Sequence, residues 1–192
     1  MSGLIIGLVV AAVVLVVVIW LWATYNGLIR ARLNVKEAWS GIDVQLRRRS
    51  SLIPNLVETV KGYAAHERET FEAVTRARAQ LDTARESGSA AQAAQADNIL
   101  TSTLRSLFAV AEAYPDLKAN ENFKELQREL TDTEDKIAYS RQFYNTNVGN
   151  YNEKIQVFPN VLLAGMFNFE QAEFYEAEEG AREEITVSFS TP

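Results

Sequence analysis

The chain has 192 residues, 47% hydrophobic and 23% charged, with a net charge of -6 and a pI near 5.0. So acidic a chain lacks the basic face of a general nucleic-acid binder, and no nucleic acid is expected among its partners. With no cysteine and one histidine, His66, it has no disulfide, thiolate zinc site, iron-sulfur cluster or multi-histidine metal centre, and no cofactor is expected.

The first 23 residues carry no charge at all. From Leu4 to Ala23 the chain reads LIIGLVVAAVVLVVVIWLWA, which at about 1.5 Å per residue covers roughly 30 Å, the thickness of a bilayer's hydrocarbon layer. Leu4, Ile5, Val9, Val14 and Val18 favour insertion. Trp20, Trp22 and Tyr25 stand at the C-terminal end of the run, where aromatic rings prefer the headgroup layer. Met1, Ser2 and Gly3 lack the basic flank of a cleaved signal peptide and the apolar run is too long for one, so residues 1–27 are expected to form a transmembrane anchor. Arg30, Arg32 and Lys36 follow the span, with Arg47, Arg48 and Arg49 further on, and no base precedes it. The positive-inside rule then predicts an N-terminus outside and the bulk of the protein in the cytoplasm. Gly3, Gly7 and Ala11 recur at the small-xxx-small spacing that lets two spans approach closely; they are either the ordinary small residues of a span or the contact of a homo-oligomer.

Beyond Asn26-Gly27 the apolar residues recur at helical spacing, as Val35, Trp39, Ile42 and Leu46, then Ile53, Leu56, Val57, Val60, Tyr63, Phe71, Val74 and Leu81. Pro54 removes a backbone donor, so this stretch is either one kinked helix or two helices meeting near Ser50-Ser51. Ser87-Gly88-Ser89 interrupts the pattern, and Ser89 with Gln92 has capping-box spacing. Leu100, Leu104, Leu107, Phe108 and Ala111 mark the next buried face, which Tyr114-Pro115 ends. A last long helix is expected from an Asn120 cap to Phe158, with Phe123, Leu126, Leu130, Ile137, Tyr144, Val148, Tyr151, Ile155 and Phe158 as its seam. The fold class that follows is all-α: a transmembrane helix and then an elongated antiparallel up-and-down bundle of three to four helices over 28–169. Residues 170–192 form an acidic tail with seven acids and one base. It is either solvated or docked on Arg47 to Arg49, and it contains a strand-like alternation at Ile185, Val187 and Phe189.

Little here carries chemistry. His66-Glu67 with Glu69 and Glu72 lacks the second histidine of HExxH, and there is no phosphate loop, dinucleotide turn or nucleophile elbow. No enzyme is expected. Four asparagines and a glycine inside the last helix, over 145–152, each cost about 0.5 to 1 kcal/mol against alanine, so packing or hydrogen bonding must offset them. They are either a structural polar network or a ligand site, with Asp43, Gln45, Arg48, Arg49 and Asn55 as expected partners. The resulting candidate interaction patch is Arg48, Arg49, Pro54, Asn55, Tyr144, Asn145, Tyr151 and Asn152.

The strings Tyr25-Asn26, Ala38-Trp39, Ile42-Asp43, Arg48-Arg49, Leu52-Ile53-Pro54-Asn55-Leu56, Gly62-Tyr63, His66-Glu67, Tyr114-Pro115, Tyr144-Asn145, Tyr151-Asn152 and Phe158-Pro159 resemble the signature of the LemA family. The resemblance runs to Phe169. It implies a single-pass protein of the bacterial inner membrane with a helical bundle and no established enzymatic activity. It also implies a scaffold or adaptor role in membrane organisation or remodelling, with other membrane proteins, a membrane protease among them, as partners. The alternatives are an enzyme or an envelope-stress sensor using His66 and nearby carboxylates, or a regulator with a hinge at Pro54.

Overall fold

Stripes of apolar residues spaced for helices need partners to cover them, and the chain supplies these from its own helices. The computed structural model describes Ser2 to Tyr175, as α1 (Ser2–Lys61), α2 (Arg68–Ser87), α3 (Ala90–Glu112), α4 (Pro115–Ala119), α5 (Glu121–Gln156) and α6 (Asn160–Met166). The fold is an all-α bundle behind a long apolar N-terminal helix, and among the described residues every regular element is helical. The strand-like alternation at 185–189 and most of the acidic tail lie outside the described residues.

Two units make up the chain. Among the described residues one comprises 2–42 together with Ser140–Glu173, the other Asp43–Tyr139 with Phe174 and Tyr175. In the first unit Leu4 to Ala23 lie in α1, long and apolar enough to cross a membrane, with side chains that are exposed among the described residues apart from the half-buried Trp20. Further along α1, Leu28, Val35, Ala38 and Ile42 are buried, as are Tyr144, Val148, Tyr151 and Ile155 of α5 and Leu163 and Ala164 of α6. The two long helices run antiparallel: Lys154 meets Gly27 at one end, and Tyr144 packs edge-on against the half-buried Trp39 at the other, ring centroids 5.7 Å apart.

In the second unit the remainder of α1, then α2, α3 and the first part of α5 alternate in direction. Asp43 meets Arg85 while Ser50 meets Asp82, Phe108 packs on Phe123, and Tyr63 accepts from Asn120. Leu46, Ile53, Leu56, Val60, Val74, Leu81, Leu100, Leu107, Phe123 and Ile137 fill the core. α1 continues as one helix through Pro54, which settles the choice between one helix and two.

Helix ends follow local chemistry. α2 stops at Gly88, whose φ of 76° suits a residue without Cβ. Ser89 accepts from the Gln92 amide, and Asn120 accepts from the Phe123 amide at 3.0 Å, both as the capping pattern predicts. The expected seam needs three corrections. α5 ends at Gln156, so Phe158 lies beyond it and is 80% exposed. Tyr63 is exposed just past the end of α1, where its hydroxyl meets Asn120. Thr133 occupies a fully buried seam position, which it can do because its hydroxyl donates to the Glu129 carbonyl one turn back.

Two glycines should respond in opposite directions. Gly88→Ala forces a Cβ into a left-handed conformation and should lower stability by about 1 kcal/mol. Gly41→Ala sits inside α1 with nothing within 4 Å of the added methyl and should raise it by roughly 0.5–1 kcal/mol. Chemical unfolding of the full chain in micelles, followed by circular dichroism, reads both.

Candidate functional site

Helix interiors rarely hold several asparagines, and here one of them has a specific task. Asn152 donates its side-chain amide to the Ala172 carbonyl at 2.9 Å and accepts the Ala172 amide at 2.8 Å, so one side chain satisfies both polar groups of a single peptide residue. Tyr151 donates to the Glu170 carbonyl at 2.8 Å and Tyr144 to the Glu173 carbonyl at 2.9 Å. Three residues on one face of α5 thereby hold the extended chain of 170–173 by its backbone. That arrangement resembles strand addition, with side chains supplying what a sheet edge would supply. Burial first, and then the Glu173 carboxylate, pushes the Tyr144 phenol above its ordinary range. Burial does the same for Tyr151, with Arg32 opposing it and Glu170 adding to it. Both phenols therefore keep the proton they donate. Asn147 bonds back to the Phe143 carbonyl within its own helix.

A second constellation lies inside the other unit. Arg49 is buried and pairs with Asp97 at 2.7 Å and with Glu134 at 3.0 Å, and it donates to Thr101 at 2.9 Å. Asp97 has no solvent exposure and also accepts from the Tyr175 hydroxyl at 3.1 Å. Taking such charges out of water is expensive, and the remaining lone pairs and protons must be satisfied for the pair to hold. Thr101, Glu134 and Tyr175 do this. Arg49 also lines a cleft of about 320 Å³ between α3 and α5, with Thr101, Arg105, Gln127 and Asp135.

The eight residues singled out from the sequence thus divide by unit. Tyr144, Asn145, Tyr151 and Asn152 belong to the first, and Arg48, Arg49, Pro54 and Asn55 to the second. Pro54 and Asn55 are exposed on α1. Of the partners expected for the asparagines, two charged ones are engaged within their own unit: Asp43 with Arg85 and Arg47, and Arg48 with Glu129 at 2.6 Å and Asp132 at 3.5 Å. Arg47, Arg48 and Arg49, the expected dock for the acidic tail, all have carboxylate partners here. His66 is exposed in the turn between α1 and α2, and no group of three His, Asp or Glu among the described residues is placed to hold a metal ion.

The LemA family pattern matches residues 38–189, most of the chain and parts of both units. The chain belongs to the LemA family. A magnetosome protein MamQ of Paramagnetospirillum magneticum is 26% identical over 175 residues, covering 79% of this chain and 64% of the relative. A MamQ of Magnetospirillum gryphiswaldense is 25% identical over 174 residues with the same coverage. The protein LemA of Metamycoplasma hominis is 26% identical over 165 residues, covering 85% of this chain and 74% of its own. The alignment thus spans slightly less than two thirds of the MamQ relatives. This LemA protein is a membrane-associated helical protein, and both constellations lie within the matched region.

Sequence reading missed Asp97 and Tyr175. Asp97 stood on the stripe of Leu100 and Leu104 at helical spacing, and a lone acid on such a face was a readable sign of a buried partner.

Two measurements test these groups. Asp97→Ala leaves the Arg49 guanidinium buried beside a lost partner and should destabilise the chain by about 3–5 kcal/mol, whereas Lys36→Ala, exposed on α1, should change stability by less than about 0.5 kcal/mol. The raised phenols give a pH signature. In the range above the ordinary tyrosine value the unfolded chain loses protons that the folded one keeps. The stabilisation is therefore complete below about pH 10 and is lost as pH rises through the folded values. Stability against pH should fall less steeply on the alkaline side in Tyr144→Phe.

Proposed function

We propose that this LemA protein is a scaffold or adaptor that holds helical binding surfaces at the bacterial inner membrane, its N-terminus outside and its bundle in the cytoplasm. The observation that carries the reading is the absence of a linker between anchor and body. α1 leaves the span at Ala23 and, still helical, buries Leu28 in the first unit. Asn26 donates to the Trp22 carbonyl within that helix, and Lys154 reaches the Gly27 carbonyl from α5. An anchor fused in this way confines the body to the membrane surface and raises its effective concentration for partners there.

Those partners are other membrane proteins, a membrane protease among them, and further copies of the chain. Gly3 and Gly7 support the last, because nothing in the protein lies within 4 Å of either glycine's open side. The relatives named magnetosome proteins accord with a role in membrane organisation. Against the hinge alternative, α1 continues unbroken through Pro54.

Photo-crosslinking residues placed at the exposed Val44 and Tyr139 of the full chain test this in cells. Covalent capture of discrete membrane proteins or of a second copy is expected, and it should vanish when Val9→Arg with Val14→Arg expels the span. Crosslinks to lipid alone, or substrate turnover by the purified chain in vesicles, would overturn the scaffold reading.

A further inference from the structure

A second uncharged stretch follows the last long helix. From Ile155 to Phe169 there is no Asp, Glu, Lys or Arg, although the segment is not core. α6 turns Leu163 and Ala164 inward and its other face outward, so Met166 is 78% exposed and Leu162 58%, with Val161 also exposed, and Phe158 before the helix, 80% exposed, and Phe167 after it add to the same apolar surface. A surface helix ordinarily keeps its polar residues on the outer face. This one has apolar residues on both, and a contiguous exposed apolar patch calls for a cover.

Its position within the first unit identifies the cover. Tyr25, immediately beyond the span, stacks at a tilt on Phe167 with ring centroids 4.9 Å apart. Phe169 lies edge-on to the same tyrosine, with the Arg32 guanidinium 5.0 Å from its ring centre. Lys154, at the start of the segment, bonds the Gly27 carbonyl. The exposed patch therefore sits at the level where α1 leaves the hydrocarbon layer, continuous with Trp22, itself 71% exposed. Exposed Arg30 and Arg32 flank it, as bases flank membrane-surface segments that meet anionic headgroups.

We propose that residues 157–167 form a second membrane contact, a monotopic element whose Phe158, Leu162 and Met166 enter the headgroup boundary of the leaflet from which α1 emerges. An interfacial helix of this type sinks about 5–10 Å, deep enough for these side chains and too shallow to span. The inference rests on the membrane reading of the span. With α1 it gives the first unit two points of attachment, which restrict its tilt against the bilayer more than a single span would.

The absence of cysteine makes single-site labelling direct. Leu162→Cys, Met166→Cys and Val14→Cys, each carrying an environment-sensitive fluorophore in the full chain, are reconstituted into vesicles containing anionic lipid. The labels at 162 and 166 should shift to the blue, be quenched by lipids brominated near the headgroup end of the acyl chain, and lose quenching by aqueous iodide. The label at 14 should be quenched by deeply brominated lipids. If 162 and 166 remain open to iodide while 14 is lipid-quenched, the second contact is wrong and the span stands. Shielding of 162 and 166 from both quenchers would mean that protein covers them, which also overturns the proposal. A label at 14 open to iodide would remove the span and the second contact together.

Discussion

One constraint stands out in the first unit: the apolar side chains of α1 from Leu4 to Ala23, Trp20 apart, are exposed and need an apolar cover. Among the described residues no other helix buries them, and each Leu, Ile or Val gains roughly 0.3 to 0.6 kcal/mol by entering the centre of a bilayer. That demand sets where the helix sits, and with it where Tyr25, Gly27 and Leu28 begin the folded body. With the span in the membrane as proposed, the contacts at this level, Tyr25 on Phe167 and Lys154 on the Gly27 carbonyl, join an element in lipid to elements outside it. Because α1 is one helix there, a force on the span reaches the bundle through covalent structure and hydrogen bonds.

The two units solve the problem of interior polarity differently. The second encloses an ion pair, Arg49 with Asp97, and surrounds it with Thr101, Glu134 and Tyr175. The gain from such a pair lies in uniqueness, since any shift of α3 along α1 or α5 strands a charge away from water. Closer to the surface, Arg85 repeats the device between α1 and α2, reaching Asp43 and Asp82. The first unit uses neutral groups. Asn152, Tyr151 and Tyr144 meet backbone amides and carbonyls, and no full charge has to be desolvated for the bonds to form.

Helices and caps were readable because their causes are local. Gly88 announced a left-handed stop, Ser89 and Asn120 announced starts, and the seam spacing of Leu130, Ile137 and Tyr144 placed α5 within a few residues of its observed limits. The asparagine string was correctly seen as anomalous, but its partner was not. A clamp on a backbone twenty positions away leaves no mark in the residue types it holds, whereas polar side chains such as those of α1 stand out as candidate partners. α6 escaped notice for a different reason. Pro159 looked like a terminus, and a helix of seven residues is less than two full turns, too short to show a period. The pairing of Arg49 with Asp97 needed two residues far apart in sequence to be read together, and either alone resembles an ordinary surface charge.

The hydrogen bonds that grip 170–173 are made to its backbone. Asn152 touches only the amide and carbonyl of Ala172, and the tyrosines touch only carbonyls, while Gln171 and Glu173 turn their side chains to solvent. The path of this stretch is thus decoupled from its chemistry. A variant could exchange the exposed Gln171 for a charged residue and still be held beside α5, so that the surface presented there is adjustable in charge without any rebuilding of the helices beneath it.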